Sequence, residues 1–346
     1  MLTLSKLHSE SVAYYESTVD ETRGVEAYYS EDGRQPARAW VVSVVPEAMP
    51  MLERTYGVKN GQAVERKDVT RWFYHAQAPS GVTLGRVPGD RGVPGYDMTF
   101  SAPKSVSVLW GLSDDERVRA AVDAAHDKAV AAALQYLELH AGYTRRADSA
   151  NPKEMIIEDL CGLSGVRYEH RTSRAGDLHM HSHVLVNNKQ RSLDGKFRTI
   201  DGVSLYHEAR AAGMLYQAQL RAEISASLGV QWGEVRNGCA EIVGLDDAGM
   251  LDAFSTRRRE IDAWREANST ERTADRCHTS KNAWQGAGDH GSHATTVGVT
   301  RGVDAGALDV VGAVDLVDDL LDELESSPPR TTAYGAPSQP WLMDSG

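Results

Sequence analysis

The stretch DLHMHSHVLV, Asp177 to Val186, sets a histidine at every second position: His179, His181 and His183. Strict period-two spacing running into an apolar segment reads as a β-strand with all three imidazoles on one face. Same-face neighbours sit about 6.6 Å apart, and the outer pair about 13 Å apart. A histidine nitrogen reaches a divalent metal at about 2.0–2.1 Å, so adjacent histidines can share an ion but the outer two cannot. His181 therefore belongs to any metal site on this strand, with either His179 or His183 beside it. A third ligand has to come from elsewhere in the chain.

His170 is the candidate. It ends the alternating segment GVRYEH, and the eight residues before His179 are enough for a loop that returns an antiparallel neighbour. Neighbouring strands lie about 4.8 Å apart, so His170 can face the same ion. The competing reading is a surface strand with solvent-facing histidines, and three alternate histidines plus a nearby fourth weaken it. A three-histidine site keeps coordination positions open, as Lewis-acid chemistry requires. Asp97, in GYDMTF, can accept the second ring N–H of a bound histidine or a proton from a nucleophile. Spacing alone leaves open the plainer role of a turn-side aspartate after Pro94-Gly95.

Two Tyr-Tyr pairs, at 14–15 and 28–29, add a possible nucleophile. A phenol of pKa about 10 can attack phosphorus and leave again, which conserves the phosphodiester energy. Lys104 and Arg198 flank the candidate strands and could neutralise a DNA backbone, although each also reads as an ordinary solvated charge.

The chain of 346 residues has ample length for one large domain or two ordinary ones. Its net charge of −12 argues at first against nucleic acid, but residues 271–346 carry five Lys/Arg against twelve Asp/Glu, a net of −7, which leaves −5 for the first 270. That balance disfavours broad coating of duplex and permits a single strand held in a cleft. Three scattered cysteines, Cys161, Cys239 and Cys277, make no disulfide framework, which suits a reducing cytoplasm. No apolar run is long enough to insert in a membrane, and residues 1–17 lack the long apolar core of a signal peptide.

Along the chain, the first 35 residues read as helical. YDMTF and KSVSVLW alternate like two strands. Asp114 to about His140 is an amphipathic helix with an acidic first turn, and a second long helix runs from about Val203 to Leu228. Strand-like segments occupy 155–161, 165–170 and 179–187, followed by a Gly-Lys turn and FRTID. This order predicts an α+β fold: a central antiparallel sheet with flanking helices. Beyond about Ala267 the chain is acidic, Gly-rich and without periodicity apart from 307–325, so residues 266–346 read as a largely irregular, flexible tail. No phosphate-binding G-x-x-x-x-G-K-[ST], no H-E-x-x-H and no C-x-x-C occurs, so neither a helicase motor nor a cysteine metal site is encoded.

GYDMTFSAPKSVSVLWG, then AAHDKAVAAALQYLE, EHRTSR and DLHMHSHVLVNN, in that order, closely resemble the relaxase domain of MobF-type conjugative relaxases, within the HUH endonucleases. The resemblance covers roughly residues 1–265. It implies an HUH palm-like fold and a metal held by His170, His181 and His183, with His179 at a position that is not a ligand. It further implies Tyr14 as nucleophile, Tyr28 as a second transesterification tyrosine, and Asp97 as the carboxylate supporting them. The metal would be Mg2+ or Mn2+, with Zn2+ a further candidate.

The implied function is site- and strand-specific nicking and rejoining of single-stranded origin-of-transfer DNA, through a 5′-phosphotyrosyl intermediate, for conjugative plasmid transfer. The expected partners are that DNA with an adjacent hairpin, a coupling protein and secretion machinery. Two alternatives are a rolling-circle replication initiator with the same chemistry and an inactive DNA-binding remnant.

Overall fold

The computed structural model describes residues 1–8, 36–89, 91–148, 151, 153–173, 175–256, 258–260 and 262–263. Both tyrosine pairs and the acidic tail from residue 264 onward lie outside the described residues. The described elements, in chain order, begin with β1 (Leu2–Lys6), β2 (Arg38–Val42), α1 (Met49–Tyr56), α2 (Arg66–Tyr74), β3 (Gly95–Ser101), α3 (Lys104–Leu112) and α4 (Glu116–Ala141). They continue with β4 (Tyr143–Ala147), β5 (Met155–Asp159), β6 (Leu163–Thr172), β7 (Leu178–Asn187), β8 (Lys189–Arg191), β9 (Phe197–Thr199), α5 (Gly202–Leu228) and α6 (Ala248–Ala253).

Five strands form the central antiparallel sheet in the order β1-β3-β7-β6-β2. The histidine strand β7 is its middle member. Both faces are covered, and the pleat decides what each covers. Met98, Phe100, Met180, Val184 and Val186 turn one way, onto an apolar layer from α4 (Val122, Ala129, Ala133, Leu137) and α5 (Ala212, Tyr216, Leu220, Ile224). Val166, Tyr168 and Leu185 turn the other way, onto Leu52 and Tyr56 of α1 and Val69, Trp72 and Phe73 of α2. Burying each such large side chain stabilises the fold by about 1.5–3 kcal/mol. The α1–α2 layer covers only part of its face; the rest of that face carries the histidines.

The long helices have legible ends. Asp115 caps α4, its carboxylate accepting from the Arg117 N–H at 2.9 Å. Gly229, at φ 67°, takes the left-handed conformation that closes α5. Gly165 lets β6 run close against β7: an added Cβ would stand 1.8 Å from the Leu185 carbonyl oxygen.

Two expectations need correction. Leu2–Lys6, within the segment read as helical, is the edge strand β1, and LTLSK pairs with β3 from Leu2↔Phe100 to Lys6↔Tyr96. KSVSVLW is not a strand but the helix α3. Its alternation misleads because both the serines and the apolar residues are buried: Ser105, Val106, Ser107 and Val108 are all at or below 2 % exposure. The serines serve as tertiary acceptors, Ser107 Oγ for the Met180 N–H at 3.0 Å and Ser105 Oγ for the Ile242 N–H at 2.9 Å. Pro103 at the N-cap starts the helix, and Gly111, whose Cβ would meet the Leu178 side chain at 2.4 Å, lets it lie against β7.

Candidate metal centre

β6 and β7 pair with His170 directly opposite His181, and β3 pairs with β7 with Thr99 opposite His183. His170, His181 and His183 converge on the sheet face left open by α1 and α2, and their ligand-type nitrogens all lie within 4.8 Å of one another. The ring centroids are 5.0, 5.2 and 5.1 Å apart, with rings near edge-to-face.

The tautomers follow from the partners. His181 Nδ1 lies 2.9 Å from the His179 carbonyl oxygen, which can only accept, so Nδ1 carries the proton and Nε2 the lone pair. His183 Nδ1 lies 3.1 and 3.0 Å from the two Asp97 carboxylate oxygens, and the same reasoning makes its Nε2 the acceptor nitrogen. Thr99 Oγ1 sits 3.0 Å from that Nδ1 and bonds Asp97, which holds the carboxylate in place. His170 Nε2 is buried with no hydrogen-bond partner among the described residues. A buried, unpartnered ring nitrogen costs free energy unless something binds it.

Burial also sets the charge state. Desolvation first, then the neighbouring His183 and Arg171, push His170 down to about 3. Burial, with the surrounding histidines, takes His181 well below the ordinary imidazole range. Burial and Lys104 bring His179 to about 4. Ligation needs neutral imidazoles, and burial keeps His170 and His181 in that form at physiological pH. The donor set of three imidazoles backed by a carboxylate fits a divalent cation.

The structure thus brings together Asp97, His170, His181 and His183 and leaves His179 stacked beside the cluster, 4.7 Å from the His181 ring. Lys104 opens α3, its Nζ donating to the Leu178 carbonyl at 2.8 Å at the histidine end of β7; burial lowers its pKa. Arg198 lies in the separate β8–β9 hairpin, held by Asp194 at 2.6 and 2.7 Å. Tyr14 and Tyr28 lie outside the described residues. Thr99 was not anticipated, although its i, i+2 spacing from Asp97 puts it on the same strand face.

A central antiparallel sheet with an H-x-H pair on its middle strand and a third histidine opposite defines a histidine-metal palm domain. The model of the TrwC relaxase family matches residues 8–295. The chain belongs to that family, and so to the MobF-type conjugative relaxases. It is 32% identical over 206 residues to the multifunctional conjugation protein TraI of Escherichia coli, and 30% identical over 207 residues to that of strain K12. Each match covers 56% of this chain and 11% of the relative, so the chain spans only a small part of those proteins' length.

Among solved structures, it resembles the conjugative relaxase TrwC in complex with oriT DNA, copper-bound, with a TM-score of 0.62 at 25% identity over 78% of this chain and 84% of the other. A metal-bound oriT complex of TrwC superposes at 0.60 and 24% identity over the same shares. TrwC bound to a 27-mer DNA comprising the recognition hairpin and the cleavage site matches over 94% of this chain and 99% of the other, at 0.60 and 20%. Among the described residues, no helix is long and apolar enough to cross a membrane.

Proposed function

We propose that this chain nicks and rejoins single-stranded origin-of-transfer DNA by metal-assisted tyrosine transesterification. The observation that carries the reading is the convergence of three imidazoles, one with an unpartnered buried nitrogen, in a chain of relaxase family. A divalent ion held by His170, His181 and His183 would supply Lewis-acid stabilisation of the charge developing on the nonbridging phosphate oxygens. The protein's own part is preorganisation. Asp97 and the His179 carbonyl hold His183 and His181 in the tautomers that present Nε2.

In the proposed reaction the Tyr14 oxygen attacks the scissile phosphorus. The bond from phosphorus to the 3′ oxygen breaks, that oxygen takes up a proton, and the 5′ phosphate stays esterified to Tyr14. Bond energy is conserved, so the free 3′ hydroxyl can attack in reverse and reseal the strand. Tyr28 is assigned the second transesterification, on another strand end. Lys104, beside the histidine strand, is the better placed of the two proposed backbone contacts, because a phosphate would have to displace Asp194 from Arg198. By the same reading the DNA carries an adjacent hairpin, and a coupling protein and secretion machinery receive the covalent complex.

The test is incubation of the protein with end-labelled origin single strands and Mg2+ or Mn2+, scored for a covalent protein–DNA adduct. An adduct that needs the metal supports the reading. DNA binding without an adduct at any metal concentration favours a binding remnant instead.

A further inference from the structure

The three-histidine strand poses a register problem. A slip of β7 by one residue would turn every histidine onto the apolar face and is excluded by the alternation itself. A slip by two keeps the faces correct. It would present His179 and His181 to His170 in place of His181 and His183.

The contacts at the cluster itself do not tell these registers apart, although farther along the same face the slip would set His183 in the buried place of Leu185 against the α1–α2 layer. Asp97 would meet the imidazole of whichever histidine stood beside it. The His179 carbonyl that orients His181 would be replaced by the Asp177 carbonyl beside His179. Lys104 Nζ holds a main-chain carbonyl, which every residue has. The β6–β7 ladder is already irregular here, with a shift between His170 and Thr172.

The opposite face does tell them apart. Met180, Val184 and Val186 join the apolar layer, but between them stands Ser182, fully buried. Its hydroxyl lies 2.8 Å from His126 Nε2 of α4 and accepts from Arg167 Nε at 3.1 Å. His126 is itself fully buried, its Nδ1 2.8 Å from the Tyr216 hydroxyl of α5. Arg167 is oriented by Asp127 at 2.6 Å. That slip would set Met180 against these groups, leaving a buried imidazole and a guanidinium N–H without their hydroxyl partner.

We infer that Ser182, pinned by His126 and Arg167 from behind the sheet, is a positioning residue that, with the buried Leu185, selects His181 and His183 as the pair facing His170. The inference rests on the metal reading of the preceding section. It gives a polar residue inside an apolar stripe a function: breaking the degeneracy of a repeated H-x-H pattern.

The test is titration of the metal-free full chain with Co2+, followed by its absorption spectrum, in three backgrounds: unsubstituted, Ser182→Val and Ser182→Thr. Each background is combined with His179→Ala and with His183→Ala. In the unsubstituted background His179→Ala should leave Co2+ affinity unchanged. In Ser182→Val it should lower affinity about tenfold or more, the scale of a lost supporting contact, and His183→Ala should cost less than it does with Ser182 present. Ser182→Thr keeps the hydroxyl and should behave as unsubstituted. A purely structural role would lower stability without making His179 matter. If Ser182→Val does not fold, His126→Phe removes the same anchor with a ring of similar size and is assayed identically. His179→Ala staying silent, with an unchanged spectrum, in every folded background overturns the inference. Failure of the unsubstituted protein to bind Co2+ through its histidines overturns the metal reading itself, so the two failures are distinct.

Discussion

Asp97 on β3 stands opposite Leu185 in the ladder, yet its carboxylate reaches diagonally across the sheet to Nδ1 of His183, at 3.0 and 3.1 Å. Diagonal same-face neighbours are within reach of polar side chains of this length. The contact sets the His183 tautomer and aims its other nitrogen at His170 and His181. Asp97→Ala should therefore lower divalent-metal affinity by about 10–100-fold while leaving the fold intact. Isothermal titration with Mn2+, beside a circular dichroism spectrum, checks this; unchanged affinity would remove Asp97 from the site.

The histidines should not be equivalent. His181 is central to the cluster, so His181→Ala should abolish metal-dependent cleavage. His170→Ala and His183→Ala should impair it severely, and His179→Ala should be close to neutral. Cleavage assays over a metal titration measure all four, and an essential His179 beside a dispensable His183 would show the ligand pair to be wrong.

Stability of the metal-free protein should depend on pH in a defined sense. His170 titrates at about 3 in the folded chain against an ordinary 6.5, so the unfolded chain takes up the proton first as pH falls. The folded state is thus at full advantage above pH about 6.5 and loses it progressively toward pH about 3. His181 shifts in the same direction and adds to the slope. Urea unfolding of the metal-free protein over a pH series should show stability falling with acidity through that window. A flat profile there would mean that the cluster is not buried as described.

The nucleophile can be assigned by trapping. A phenyl ring has no hydroxyl to attack phosphorus, so Tyr14→Phe should retain metal and DNA affinity and lose the first nick. Tyr28→Phe should still cut once. Tyr15 and Tyr29 follow their partners by one residue, about 100° around a helix if these segments are helical, so neither should substitute efficiently. Mass spectrometry of the adduct should find the oligonucleotide on the peptide containing Tyr14; an adduct confined to the peptide with Tyr28 and Tyr29 would make the second pair the initiating one.

Local pattern alone determined a good part of this protein. The alternation of DLHMHSHVLV specified a strand with its histidines on one face, because side-chain direction in a strand depends only on parity. The long helices α4 and α5 were legible from 3.6-residue periodicity and an acidic first turn. His170 could be nominated because a short loop constrains where the next strand lies. Tertiary structure decided the rest. KSVSVLW became a helix because β7 and Ile242 supply donors for its buried serines, a long-range circumstance that no local pattern encodes. LTLSK became an edge strand because β3 offered it a partner 90 to 98 residues away. The choice between His179 and His183 is of the same kind. Three histidines in strict alternation look alike from within their own strand, and the groups that tell them apart, Ser182, His126 and Arg167, come from the strand's other face, from α4 and from β6. Parity is a local property of the backbone, whereas register is an energy difference between whole pairings, and it exists only once those neighbours are packed in place.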